Sequence, residues 1–188
     1  MVKSKRGGKR VAQSDLYRRK TKEEVIKEIE DKTREDSTET ASVIDENGSV
    51  LLEKTEGLES EVNFTYDELL KMQNNTLTHN HPKGRVFSPE DLDLAFYVNL
   101  REIRASHKNG CYSLKRNFDI GDSIPNKYRD FAKDYTKAAI DYKNSTMDAI
   151  FDQTRDAEMC NKMVDDFRRQ WLKENAVKYG WTYTEETL

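Results

Sequence analysis

Cysteine is nearly absent: Cys111 and Cys160 stand far apart in 188 residues, with no CxxC pairing. A disulfide framework and a cysteine-based zinc finger are therefore not indicated, and both thiols are expected to be buried. No apolar run approaches the roughly 18 to 20 residues of a membrane span, and no apolar signal segment follows the basic N-terminus. The expectation is a cytoplasmic protein with no membrane association. No internal repeat is visible. Histidine is scarce too, and two of the three occur as the pair His79 and His81.

Apolar residues make up 35% of the chain and charged residues 36%, a polar balance that points to long solvated helices or tails. The length suits one domain with a core plus an appendage. A net charge of -3 conceals segregation along the chain. Lys3, Lys5, Arg6, Lys9, Arg10, Arg18, Arg19, Lys20 and Lys22 face Asp15 alone at the N-terminus. Such an arm, residues 1–21, can bind nucleic-acid phosphates through counterion release. An ordinary disordered terminus is the favoured reading, because Tyr17 is the only aromatic available for base stacking.

Thr21 and Glu24 have capping-box spacing and open an exposed helix over 22–35, with Val25, Ile26 and Ile29 as a narrow apolar stripe. Glu28 with Lys32 and Glu30 with Arg34 are its expected ion pairs. Residues 39–45 and 49–53 flank Asn47-Gly48, predicting a β-hairpin with positive φ angles at the turn. Thr65 and Glu68 form a second capping box for a helix to about Gln73. Thr76–His79 reads as a strand. Ser88 as N-cap and Pro89 at the first position start a helix, which Leu92, Phe96, Leu100 and Ile103 extend to about Glu102. A hairpin of residues 103–107 and 111–115 follows. This order defines an α/β layer architecture with a small mixed sheet.

From Pro125 the pattern is helical. Tyr128, Phe131, Ala132, Tyr135, Ala138, Ala139 and Tyr142 share one helix face, best read as core or interface. Ser145–Asp148 restarts or kinks the helix, and Met147, Ile150, Phe151 and Thr154 continue an apolar face. A last helix through Cys160, Val164, Phe167 and Trp171 ends near Gly180.

The chemistry concentrates between Thr76 and Leu92. On a strand, residues i and i+2 share a face, so His79 and His81 can aim at one point, and Pro82 keeps His81 extended. Asp91, in the first turn of the next helix, can face back toward them. Two His and one Asp form a sound catalytic zinc set that leaves a fourth position for water. A carboxylate outside the metal must still take the proton. Glu39 at the head of the first strand is the best candidate, with Glu35 and Glu46 as fallbacks. Ser88 can hydrogen-bond an oxyanion. His107 stands apart in a hairpin and is read as structural.

Glu39, His79-Asn80-His81-Pro82 and Ser88-Pro89-Glu90-Asp91 together resemble the JAMM motif of the MPN/JAB domain family. His-Asn-His-Pro with the following hairpin is more similar to the prokaryotic RadC-like and phage-borne JAB branch than to eukaryotic deubiquitinating enzymes. The resemblance implies a small mixed β-sheet flanked by helices over residues 36–117, with residues 125–188 as a helical C-terminal extension. It also implies Zn2+ on His79, His81 and Asp91, water activation by Glu39 and oxyanion assistance by Ser88. The implied function is a zinc-dependent peptidase or isopeptidase acting on a protein or peptide. The alternative is an inactive or RadC-like scaffold that binds protein or nucleic acid, with the C-terminal helices docking a second copy or a partner. Pro82–Glu90 supplies nine residues between the second His and the Asp, where the family usually has ten. His-Asn-His-Pro-Lys-Gly-Arg also superficially resembles an HNH-type nuclease hairpin, but cysteine knuckles are missing.

Overall fold

The computed structural model describes residues 20–55, 62–119 and 127–188. The basic arm through Arg19 and the expected helix boundary at Pro125 lie outside the described residues.

Six strands form one mixed sheet: β1 (Thr40–Ile44), β2 (Val50–Thr55), β3 (Thr76–Asn80), β4 (Glu102–His107), β5 (Gly110–Arg116) and β6 (Trp181–Thr187). Their spatial order is β2-β1-β3-β4-β5-β6. Only β3 and β4 run parallel, and α3 (Pro89–Tyr97) forms the crossover between them. The other helices are α1 (Lys22–Thr33), α2 (Tyr66–Met72), α4 (Phe131–Tyr142), α5 (Asp148–Thr154) and α6 (Ala157–Asn175). The architecture is mixed α/β, and the order from α1 to β5 is the one expected.

The two sheet faces differ chemically because strand side chains alternate. Ala41, Val43, Leu77, Ile103, Ala105, Tyr112 and Leu114 join Leu92, Phe131, Tyr135, Leu172 and Trp181 in one hydrophobic core. The opposite face carries Ser42, Thr78, Arg104 and Ser113 and is crossed by α1. Glu30 of α1, 4% exposed, accepts from Arg104 Nε at 2.7 Å and from Thr78 Oγ1 at 3.0 Å. The expected Glu30–Arg34 pair is thus replaced by a long-range one, since a buried carboxylate needs a buried partner. Lys32 pairs with Glu53 at 3.4 Å and Glu28 with Lys20, not with each other. Ile26, Glu30 and Thr33 are buried, so α1 is less exposed than its sequence indicates.

All three capping boxes form, at Thr21/Glu24, Thr65/Glu68 and Ser88/Asp91. The first hairpin needs only one positive φ, Gly48 at 80°, because Asp45 Oδ1 accepts from the N–H groups of Asn47 at 2.9 Å and Ser49 at 2.7 Å. Helix α3 stops at Tyr97 rather than near Glu102. Asn99 takes a left-handed φ of 54°, and its carbonyl accepts from Asn74 N at 3.0 Å. Leu100 and Ile103 are fully buried from the connector and β4, so their helical spacing is coincidental.

The aromatic face after residue 127 is core. Phe96 lies 5.3 Å from Phe131 and 5.2 Å from Trp181 between ring centroids. A π-helical segment at Lys143–Met147 separates α4 from α5 next to the expected restart or kink at Ser145–Asp148, but Phe151 and Thr154 are exposed rather than continuing an apolar face. The Met147 side chain lies outside the description. Residues after Gly180 correct the expected all-helical extension: β6 pairs antiparallel with β5 and buries Trp181. At Gly110 a Cβ would meet the Glu186 carbonyl oxygen at 1.8 Å, so this close approach of β6 requires glycine. Cys111 is buried as expected, whereas Cys160 is half-buried.

Candidate metal centre

Strand β3 is held on both sides, with His79 registered to Ala41 of β1 and to Ala105 of β4. This fixes the histidine backbone inside the sheet. His79 and His81 turn their rings to the core side, and α3 brings Asp91 over them. His79 Nε2 lies 3.3 Å from Asp91 Oδ1, and His81 Nε2 lies 3.5 Å from Asp91 Oδ2. Among the described residues this is the one group of three or more such side chains that could hold a metal ion. The nine-residue connection therefore brings Asp91 onto both histidines.

The tautomer of His81 follows from its partner. Its Nδ1 is 2.6 Å from the Arg85 carbonyl, which can only accept, so Nδ1 carries the proton and Nε2 presents a lone pair. That lone pair faces His79 Nε2 at 2.8 Å. Two lone pairs would repel at this distance, so the site favours a proton or a metal cation between them. His79 Nδ1 is buried with no partner of hydrogen-bond geometry.

Burial, and then the charge of His79, push the His81 pKa down to about 4. Burial also opposes charge on His79, but the Asp91 carboxylate outweighs it and raises the His79 pKa. Burial likewise works against ionised Asp91, yet the two histidines and the Ser88 backbone hold its carboxyl well below the usual range. One anionic oxygen and two imidazole nitrogens thus converge in a water-poor setting.

Glu39 directly precedes β1 and shares a cleft of about 630 Å³ with His79, Ser88 and Asp91. Burial raises its pKa, with His79 opposing and Asp91 adding to the shift. The fallbacks Glu35 and Glu46 are exposed and do not line this cleft. Ser88 Oγ accepts from Asp91 N at 3.1 Å as helix cap, which leaves its O–H able to donate. His107 is not part of the group. It stacks on Tyr112 at 4.6 Å between centroids, and burial, followed by Arg169, lowers its pKa.

Several supporting residues escape a motif-based reading. Asn80, fully buried, accepts from Thr40 N at 2.7 Å and donates to the carbonyls of Asp36 at 3.2 Å and Thr38 at 3.0 Å. It ties the Glu39 segment to β3. The loop between His81 and Asp91 is held from three other elements. Tyr112 of β5 donates to the Gly84 carbonyl at 3.3 Å, Val86 N donates to Asp165 of α6 at 2.9 Å, and Tyr135 of α4 donates to the Phe87 carbonyl at 2.6 Å. The middle Asn of His-x-His carried a weak local signal. Tyr135 and Asp165 had none, because their partners are backbone atoms about 50 and 80 residues away.

The fold and site define a mixed α/β protein with a buried His-His-Asp group that could bind a metal ion. No family model, curated protein or solved structure matches the chain. Among the described residues no helix is long and apolar enough to cross a membrane.

Proposed function

We propose that the protein is a zinc-dependent hydrolase of peptide or isopeptide bonds, with a JAMM-type site on an MPN/JAB-like fold. The observation that carries this is the convergence of His79, His81 and Asp91 on one point, with His79 and Asp91 lining a cleft that Glu39 and Ser88 also line. The donor set fits zinc. Ligand bonds of 2.0 to 2.2 Å in a tetrahedron imply donor separations of about 3.3 to 3.6 Å; the two His–Asp distances meet this, and the 2.8 Å between the histidine Nε2 atoms would widen around the cation. Two imidazoles and a carboxylate suit this borderline-soft cation.

Zinc held there supplies Lewis-acid polarisation and lowers the pKa of water to about 7. The protein groups divide the remaining work. Asp91 and the two imidazoles position the cation. Glu39, whose raised pKa suits proton exchange, accepts the proton of the attacking water and delivers it to the leaving nitrogen as the C–N bond breaks. Ser88 O–H donates to the oxyanion developing on the scissile carbonyl. Arg85 C=O fixes the His81 tautomer.

Metal analysis of purified protein tests this directly. Wild type and Glu39→Gln are expected to carry stoichiometric zinc, and a His79→Ala, His81→Ala variant none. Only wild type should cleave peptide or isopeptide substrates. Equally low metal in wild type and the double variant would remove the zinc site, and full activity in Glu39→Gln would remove the assigned base.

A further inference from the structure

The cleft beside the metal group has a second wall that the chemistry does not use. Beyond Glu39, His79, Ser88 and Asp91 it is lined by the apolar Ala41, Val62, Phe64, Leu69, Leu77 and Leu94, with Asn63 and Glu90 as its other polar residues. Ala41 and Leu77 are buried and form its floor on the sheet, while Val62, Phe64, Leu69 and Leu94 are half-buried. Apolar side chains beside a few convergent polar groups are the usual lining of a ligand site. Its volume, about 630 Å³, admits a large side chain together with flanking backbone.

The position specifies the occupant. Leu77 lies two residues before His79 on the same face of β3, so the apolar floor begins about 6.6 Å along the strand from the metal group. A scissile carbonyl at that group places the side chain of an adjoining residue within this reach. Glu90, exposed at the edge of α3, also lines the cleft, and its carboxylate disfavours an acidic side chain entering the same space. Phe64 is kept in place by Lys54, whose Nζ lies 5.8 Å from its ring centroid and also pairs with Glu68 at 3.1 Å. The wall is therefore attached to α2 and β2.

We infer that this cleft is a specificity subsite for a large aliphatic or aromatic residue flanking the bond cleaved, and that the substrates are polypeptides presenting such a residue. The assignment rests on the hydrolase reading for its catalytic consequence, while the apolar recognition is measurable without hydrolysis.

Two measurements separate the possibilities. In the first, N-acetyl-leucinamide, N-acetyl-alaninamide and the α-amide of N-acetyl-aspartic acid are titrated into Glu39→Gln protein, and the methyl resonances of Val62, Leu69 and Leu94 are followed. The leucine probe is expected to bind about fiftyfold more tightly than the alanine probe, because about three more carbon atoms leave water. The aspartate probe is expected to bind most weakly. Leu94→Trp, which fills the cleft, should abolish the preference, and Leu69→Ala should weaken it if the tryptophan variant does not fold. In the second, zinc-loaded wild type is incubated with a proteome-derived peptide library. Cleavage sites read by mass spectrometry should be enriched in Leu, Met or Phe beside the cut. Equal binding of the leucine and alanine probes, no shift at the cleft methyls, or cleavage without apolar enrichment overturns the subsite. Selective binding of the leucine probe by a protein that holds no zinc and cuts nothing sustains the subsite and removes the hydrolase.

Discussion

Replacing Asn80 by Ala tests whether the residue between the two histidines positions the Glu39 segment. Its amide makes three hydrogen bonds to the chain ahead of β1: it accepts from Thr40 N at 2.7 Å and donates to Asp36 O at 3.2 Å and Thr38 O at 3.0 Å. Leaving the buried Thr40 N–H without its acceptor costs about 1 to 3 kcal/mol. The two carbonyls lie nearer solvent and add roughly 0.5 kcal/mol each. The expected loss is about 2 to 4 kcal/mol, or roughly 10 °C in melting temperature for a chain of this length. Zinc content should be retained, because His79 is fixed by pairing with Ala41 and Ala105, whereas kcat should fall about a hundredfold through displacement of Glu39. Urea denaturation, metal analysis and single-turnover cleavage read these effects separately. Stability within about 0.5 kcal/mol of wild type would refute the account of Asn80. Loss of zinc in parallel with activity would refute the separation between ligand support and base support.

Tyr135→Phe removes a buried donor from the Phe87 carbonyl and should cost about 1 to 3 kcal/mol in thermal unfolding. The loss should be larger with zinc than without it if the ligand loop is what Tyr135 holds. Glu30→Ala removes the most buried of three carboxylates around the Arg104 guanidinium, which keeps Glu102 and Glu186 at 3.0 Å each, and should destabilise by about 1 to 3 kcal/mol in urea titration. An effect below 1 kcal/mol would show that the pair contributes little. The Arg169 guanidinium, with Lys173 and Tyr183, holds the Glu185 carboxyl down to about 2, below the ordinary 4.5 of a glutamate. Because the folded-state value is the lower one, this contribution is present above about pH 4.5 and is lost as pH falls through about 2. Glu185→Gln should therefore lower stability by about 1 kcal/mol at pH 7 and by much less near pH 2.

Local rules carried much of this fold. The three Ser/Thr-x-x-Glu/Asp capping boxes, the hairpin at Gly48 and the alternation through His79 are short-range consequences of backbone stereochemistry. Each was readable from a few adjacent residues. The metal group was legible for the same reason: i, i+2 on a strand and the third residue of a capped helix have fixed directions, so His79, His81 and Asp91 needed only a connection of suitable length. Strand β6 was also signalled, by the alternation of Trp181 and Tyr183 with threonines, but the strong helical pattern before it and the cap residue Gly180 masked the change of period.

Tertiary structure alone decided which partners these groups meet. Whether Glu30 pairs with Arg34 or with Arg104 depends on which face of α1 is pressed against the sheet, and the buried carboxylate takes the partner that is buried with it. Helix α3 ends where the Asn74–Asn99 backbone contact forms, not where its apolar spacing runs out. The roles of Asn80, Tyr135 and Asp165 are invisible in sequence because each meets a backbone group brought close by the fold, and backbone groups are the same in every residue. Glu39 could be named as one of three glutamates, but only the β1–β3 register sets it, rather than Glu35 or Glu46, beside His79. The residues themselves determined the ligand chemistry. The sheet register and the C-terminal helices behind the ligand loop determined the arrangement in which it is held.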